Sequence, residues 1–349
     1  MKPIKKVIFG VESLALNKAE KEFFAATNPL GFILFKRNVQ DPTQLKALVN
    51  ELYEITENPY LHVLIDQEGG RVARLKPPLF RAAKPAGDFA KLALHNLEKA
   101  KQAVFLNHYL IGKELAEYKI NVNCAPVADL LIEGAHSIIG DRSFGSNPKI
   151  VIELCNAAIS GLHASGVISI IKHIPGHGRA NDDSHKKLPY INEDIAILEK
   201  TDFAVFSALR FAPWAMTAHI IYEALDPLKP VTQSEIAISY IRNDLGFANI
   251  LVSDDLNMDA LNGTLASRAS KSIEAGCDAV LHCKGTLEEY ASVASVVGDV
   301  DEPLLRRIKT AYKITQPEQV SMAANDCDIP VIGKELAQLE NELTDLMSA

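Results

Sequence analysis

The richest concentration of chemically useful residues is Lys172-His173-Ile174-Pro175-Gly176-His177-Gly178-Arg179-Ala180-Asn181-Asp182-Asp183-Ser184-His185, with three histidines in fourteen residues. Proline and glycine exclude a regular helix here, so the segment reads as a loop. Asp183 stands two residues from His185. A carboxylate bonded to one ring nitrogen fixes the tautomer and raises the basicity of the other. That makes His185 a candidate proton donor and acceptor near neutral pH. Two rival readings use the same segment. His173, His177 and His185 could ligate zinc, although no H-E-x-x-H helix is present. Lys172 could form a Schiff base, but so polar a loop does little to lower a lysine pKa by desolvation. The structural alternative is a polar surface loop.

Two further segments stand out. In Asp66-Gln67-Glu68-Gly69-Gly70-Arg71-Val72-Ala73-Arg74 the glycines allow a tight turn. Asp66 could accept hydrogen bonds from vicinal hydroxyls, and Arg74 could reach a ligand oxygen or fix a carboxylate; otherwise the charges of the turn pair with each other. The run Ile250-Leu251-Val252-Ser253 ends on Asp254-Asp255. An acidic pair after a buried strand is costly unless hydrogen-bonded or functional. Asp254 could be a nucleophile, a metal ligand or a substrate clamp, and Asp255 fits a helix N-cap. Smaller signals are Ile139-Gly140-Asp141-Arg142-Ser143-Phe144 and Thr217-Ala218-His219, while His62 and His95 read as structural. No phosphate-binding loop, dinucleotide fingerprint or G-x-S-x-G elbow is present, which removes the usual support for nucleotide binding and serine-esterase chemistry.

These groups need a scaffold that brings them together. Short apolar runs recur at 6–9, 31–35, 61–65, 120–125, 167–171, 215–218, 249–252 and 279–281, several of them apolar on both faces like buried parallel strands. Helical periodicity lies between them, at 41–57, 91–118, 147–164, 192–209, 234–245, 267–275 and 287–297. Asp41-Pro42 and Asn147-Pro148 read as helix starts. Eight strands each followed by helix predict an α/β protein with a (β/α)8 TIM barrel, regular or not, over 1–298. An open doubly wound sheet is the rival. Residues 299–349, with helical character at 303–314 and 334–347, read as a C-terminal helical extension packed on the barrel. In such barrels active sites gather at the carboxyl ends of the strands. Asp66, Asp129, Lys172, His173, His219, Asp254 and Asp255 all follow apolar runs.

Composition narrows the partners. The chain has 349 residues, 48% hydrophobic and 23% charged, with a net charge of −8. No basic field gathers nucleic acid. No run approaches the ~20 apolar residues of a membrane span, and the N-terminal apolar stretch is too short for a signal peptide. Five cysteines without a C-x-x-C pair suit reduced thiols in the cytoplasm. The expectation is a cytoplasmic monomer without cofactor or metal.

Taken together, the segments around Asp66, Arg142, Lys172, Asp183, His219 and Asp254 resemble glycoside hydrolase family 3. More narrowly, they resemble its single-domain bacterial β-N-acetylhexosaminidases of peptidoglycan recycling. They stand in family order and span roughly residues 29–285. Ile174 replaces a phenylalanine common in the family. The resemblance implies a retaining β-glycosidase with Asp254 as nucleophile. Its acid/base is a histidine paired with an aspartate, here His185 and Asp183, where most glycosidases use a second carboxylic acid. It also implies sugar contacts at Asp66, Arg74, Arg142, Lys172 and His173, a terminal N-acetylglucosamine as the sugar and a muropeptide as the source. Alternatives are a β-N-acetylglucosaminide phosphorylase, a β-glucosidase, a metal-dependent hydrolase or a carbohydrate-binding barrel without catalysis.

Overall fold

The computed structural model describes residues 2–181, 184, 187–316, 338, 341 and 345. The strands are β1 (Lys5–Gly10), β2 (Pro29–Leu34), β3 (His62–Ile65), β4 (Val122–Asn123), β5 (Ile168–Ile174), β6 (Tyr190–Ile191), β7 (Trp214–Thr217), β8 (Ile221–Tyr222), β9 (Ile250–Asp255) and β10 (Ala279–His282). Eight of them close a parallel barrel in the order β1-β2-β3-β4-β5-β7-β9-β10, while β6 and β8 pair as a separate parallel ribbon. All eight apolar runs became barrel strands.

The bore is filled. One buried cluster takes Ile8, Ile33, Leu64, Val122, Ile170, Trp214, Val252 and Leu281 from the eight strands in turn. Each such side chain contributes about 1.5–3 kcal/mol by leaving water. Below them, the His62 ring packs against Trp214 and Tyr312, and Tyr312 against Tyr60. Two larger clusters lie between the strands and the surrounding helices.

The helices are α1 (Lys18–Thr27), α2 (Pro42–Ile55), α3 (Ala86–His95), α4 (Leu97–Glu117), α5 (Pro148–Ala164), α6 (Ile195–Leu198), α7 (Asp202–Ala208), α8 (Glu235–Asn243), α9 (Leu265–Ala275), α10 (Leu287–Ala294) and α11 (Glu302–Tyr312). Asp41 and Asn147 cap α2 and α5 as expected. The single helix expected over 91–118 is two. Asn96 adopts extended backbone, and its side chain accepts from the Lys99 N–H, so it ends α3 and caps α4. The stretch 192–209 is likewise split into α6 and α7, and α1 and the β6–β8 ribbon gave no clear periodic signal. Helix α11 presses Leu304, Ile308 and Ala311 into the cluster that fills the bore. Most of the helix expected at 334–347 lies outside the described residues.

Candidate active site

The turn after β3 is built around a buried amide. Gln67 is fully enclosed; its side chain accepts from the N–H groups of Arg74 and Leu75 and donates to the Leu75 carbonyl. Gly69 and Gly70 take φ of 102° and 56°, where a side chain would be strained. A Cβ on Gly69 would also stand 2.3 Å from the Lys84 carbonyl oxygen. This turn aims Asp66 and Glu68 at β5.

There they meet Lys172. Its ammonium lies 2.7 Å from Asp66 Oδ1 and 2.8 Å from Glu68 Oε1. Arg74 donates to Asp66 Oδ2 at 2.9 Å, and Arg142 makes a two-pronged contact with Glu68 at 2.8 and 2.9 Å. The result is an alternating chain, Arg74–Asp66–Lys172–Glu68–Arg142, with three cations and two anions. Burial alone would raise the carboxyl pKa values. Lys172 and Arg74 reverse this for Asp66, and Lys172 and Arg142 for Glu68, so both are held below the ordinary carboxylate range. Burial would lower the Lys172 pKa, but the two carboxylates raise it above its ordinary value. A permanently charged lysine is the opposite of what a Schiff base needs. Glu68 is the member of this chain that sequence reasoning did not assign; an acidic residue in the same glycine turn was its only signal.

Lys172 and His173 belong to β5 itself, which runs on through Ile174, and not to the loop expected from the following proline and glycine. The side chain of Asp129 is fully buried after β4. Its Oδ1 accepts the backbone N–H groups of His173 and His177, and its Oδ2 lies 2.7 Å from His173 Nδ1. His177 Nε2 lies 2.9 Å from Ser184 Oγ, and burial, with His173 beside it, pushes the His177 pKa down to about 4. Asp183 and His185 lie outside the described residues. The three-histidine zinc set therefore lacks a described member, and no metal-ligating group of three side chains occurs among the described residues.

Asp254 and Asp255 end β9. The Asp255 N–H donates to Asp254 Oδ1 at 2.8 Å. Asp255 is not a helix N-cap: its Oδ1 accepts from the N–H groups of Cys283 and Asn257, and α9 is capped by Thr264. Burial raises the Asp255 pKa. His219 holds this strand end, with Nε2 3.1 Å from the Asp255 carbonyl oxygen and Nδ1 on Thr232. One cavity of about 220 Å³ is lined by Asp66, Glu68, Arg74, Arg142, Lys172, His173, His177, Ser184 and Asp254, with Ile33, Met216 and Leu281 from the bore also on its wall. The candidate residues that are described therefore converge on one space.

Residues 5–314 match the family described as Glycosyl hydrolase family 3 N terminal domain. The chain belongs to glycosyl hydrolase family 3. It is a glycoside hydrolase, and hexosaminidases are among its relatives. A beta-hexosaminidase of Alkalilimnicola ehrlichii is 37% identical over 79% of this chain and 80% of its own length. That of Thioalkalivibrio sulfidiphilus is 33% identical over 85% and 86%. The crystal structure of NagZ from Neisseria gonorrhoeae in complex with N-trifluoroacetyl-D-glucosamine superposes with a TM-score of 0.86, at 30% identity, covering 97% of this chain and 98% of that one. Among the described residues no helix is long and apolar enough to cross a membrane.

Proposed function

We propose that the chain is a retaining exo-β-N-acetylglucosaminidase. The observation that carries this reading is the shared cavity, with Asp254 on the wall that also holds the Asp66–Lys172–Glu68–Arg142 chain and His173. Charged donors and acceptors fixed by one another suit a ring of sugar hydroxyls, and the family membership and the hexosaminidase relatives support an N-acetylglucosamine ring.

Asp254 attacks the anomeric carbon as the bond to the leaving oxygen breaks. The His185 imidazolium gives that oxygen its proton, with Asp183 orienting the ring. A glycosyl–Asp254 ester results. Neutral His185 then takes a proton from water, the water oxygen bonds to the anomeric carbon, and the ester breaks with net retention. Ser184, between Asp183 and His185, lines the cavity, which supports their assignment as the acid/base pair. Asp66, Arg74, Arg142, Lys172 and His173 would hold the sugar. A muropeptide source, a cytoplasmic setting, a monomeric state, no cofactor, and a barrel over 1–298 with its extension over 299–349 belong to the same reading.

The test is turnover of a chromogenic β-N-acetylglucosaminide beside the matching β-glucoside, with a fluorosugar label mapped by mass spectrometry. Preference for the acetamido substrate and a label on Asp254 are expected. A label elsewhere overturns the nucleophile, and equal turnover of the glucoside overturns the substrate class. A sugar 1-phosphate seen by phosphorus NMR in phosphate buffer would make the enzyme a phosphorylase instead.

A further inference from the structure

His173 reaches the cavity with one ring nitrogen already engaged. Nδ1 lies 2.7 Å from Asp129 Oδ2, and among the described residues Nε2 has no hydrogen-bond partner. A neutral imidazole has two tautomers, and they present opposite faces: a lone pair on Nε2 if Nδ1 holds the proton, an N–H on Nε2 if it does not. What settles the choice is the group at Nδ1. Asp129 is fully buried and cannot rotate away, because Oδ1 accepts the His173 N–H at 3.1 Å and the His177 N–H at 2.7 Å. The main-chain carbonyl of Asp129 is held in turn by the Ser143 hydroxyl at 2.7 Å. A carboxylate pinned in this way offers only an acceptor to Nδ1.

We propose that Asp129 is a positioning residue that fixes a proton on His173 Nδ1, so that in the neutral ring Nε2 accepts a hydrogen bond from a hydroxyl of the bound sugar. This rests on the reading of the cavity as a sugar site. The neighbouring groups give the acceptor its value. Lys172, Arg74 and Arg142 are donors only, and each carboxylate oxygen of Asp66 and Glu68 already faces a cation, so His173 Nε2 adds an acceptor to those the carboxylates retain. A sugar hydroxyl that must donate as well as accept finds an uncommitted lone pair at His173 Nε2.

The discriminating variant is Asp129→Asn. Its Oδ1 can keep both backbone N–H bonds, which fixes its NH2 toward Nδ1. The ring must then carry its proton on Nε2, and an acceptor in the cavity becomes a donor. The expected result is a fall in kcat/KM of about ten- to a hundred-fold, the scale of one mismatched buried hydrogen bond, with KM bearing the larger part. Ser143→Ala frees the Asp129 main-chain carbonyl without touching the carboxylate, and should lower kcat/KM by less than Asp129→Asn does.

A direct readout needs no stability comparison: nitrogen-15 NMR of the imidazole rings in the unliganded wild-type protein, with the His173 signals identified by their loss in His173→Asn. A protonated Nδ1 and an unprotonated Nε2 at assay pH support the proposal. The opposite tautomer, a doubly protonated ring, or an Asp129→Asn enzyme with unchanged kcat/KM each overturn it. Failure of the wild-type enzyme to cleave any hexosaminide would instead strike the functional reading, and the nitrogen spectrum would still report on the ring.

Discussion

Glu68 shows what a single buried charge does here. Its side chain is only 7% exposed and, among the described residues, bridges Lys172 and Arg142. Removing one partner from such a buried set leaves the others uncompensated, at a cost on the order of 3–5 kcal/mol. Glu68→Gln should therefore lower the melting temperature by several degrees and raise KM, both readable on one purified variant. The groups assigned to react in the proposed mechanism should behave differently. Positioned proton transfer contributes about 10²–10⁴-fold, so His185→Ala should be slow toward poor leaving groups and far less impaired with an activated aryl leaving group. Asp254→Ala should be inactive toward both, because no ester can form; kcat measured on the two substrate types separates these outcomes. Asp66 was legible because it directly follows an apolar run. Glu68 was not, because its direction is set by the backbone of Gly69 and Gly70, which residue order alone does not specify.

At the scale of elements, the segment after β5 is tied at both ends. Upstream, Arg179 holds Asp202 at 2.6 Å, Glu193 at 2.8 Å and Thr201 at 3.1 Å. Tyr222 donates to the Gly176 carbonyl at 2.6 Å. Downstream, β6 pairs with β8. Gly178 packs so tightly that a Cβ would stand 2.0 Å from the Leu130 carbonyl oxygen. Gly178→Ala must displace one of the two backbones, so kcat should fall for substrates that need protonation, and the melting temperature should fall as well, on the scale of one overpacked site at about 1–3 kcal/mol. Equal losses for activated and unactivated leaving groups would contradict this. None of these ties was legible beforehand: β6 and β8 have two residues each, too short for any period, and Arg179 finds its partners across more than ten residues of chain. Asn96 is the converse case, a capping residue whose type was visible but whose interruption of a long apolar pattern was read through.

Over the whole molecule the apolar rhythm was sufficient, since a barrel strand buried on both faces announces itself by composition. Burial holds the pKa values of five histidines, His62, His108, His163, His177 and His282, at about 4. Unfolding returns them to the ordinary value near 6.5. Below that pH the unfolded chain binds protons that the folded chain refuses. The stability these groups contribute is full above pH 6.5 and is lost as pH falls toward 4, with a slope of up to about 1.4 kcal/mol per pH unit for each histidine. Melting temperatures recorded from pH 7 to pH 4 should fall steeply in that window. A flat profile would mean that the rings find partners or water.

The aromatic stopper of Tyr60, His62, Trp214 and Tyr312, with α11 beneath it, leaves the reaction chamber without a rear exit. On the proposed retaining route, traffic would therefore be last in, first out: the severed aglycone must vacate the doorway before hydrolytic water can reach the trapped sugar, and the free monosaccharide departs after it. Accumulated monosaccharide should consequently obstruct incoming substrate competitively, whereas the departed aglycone should not.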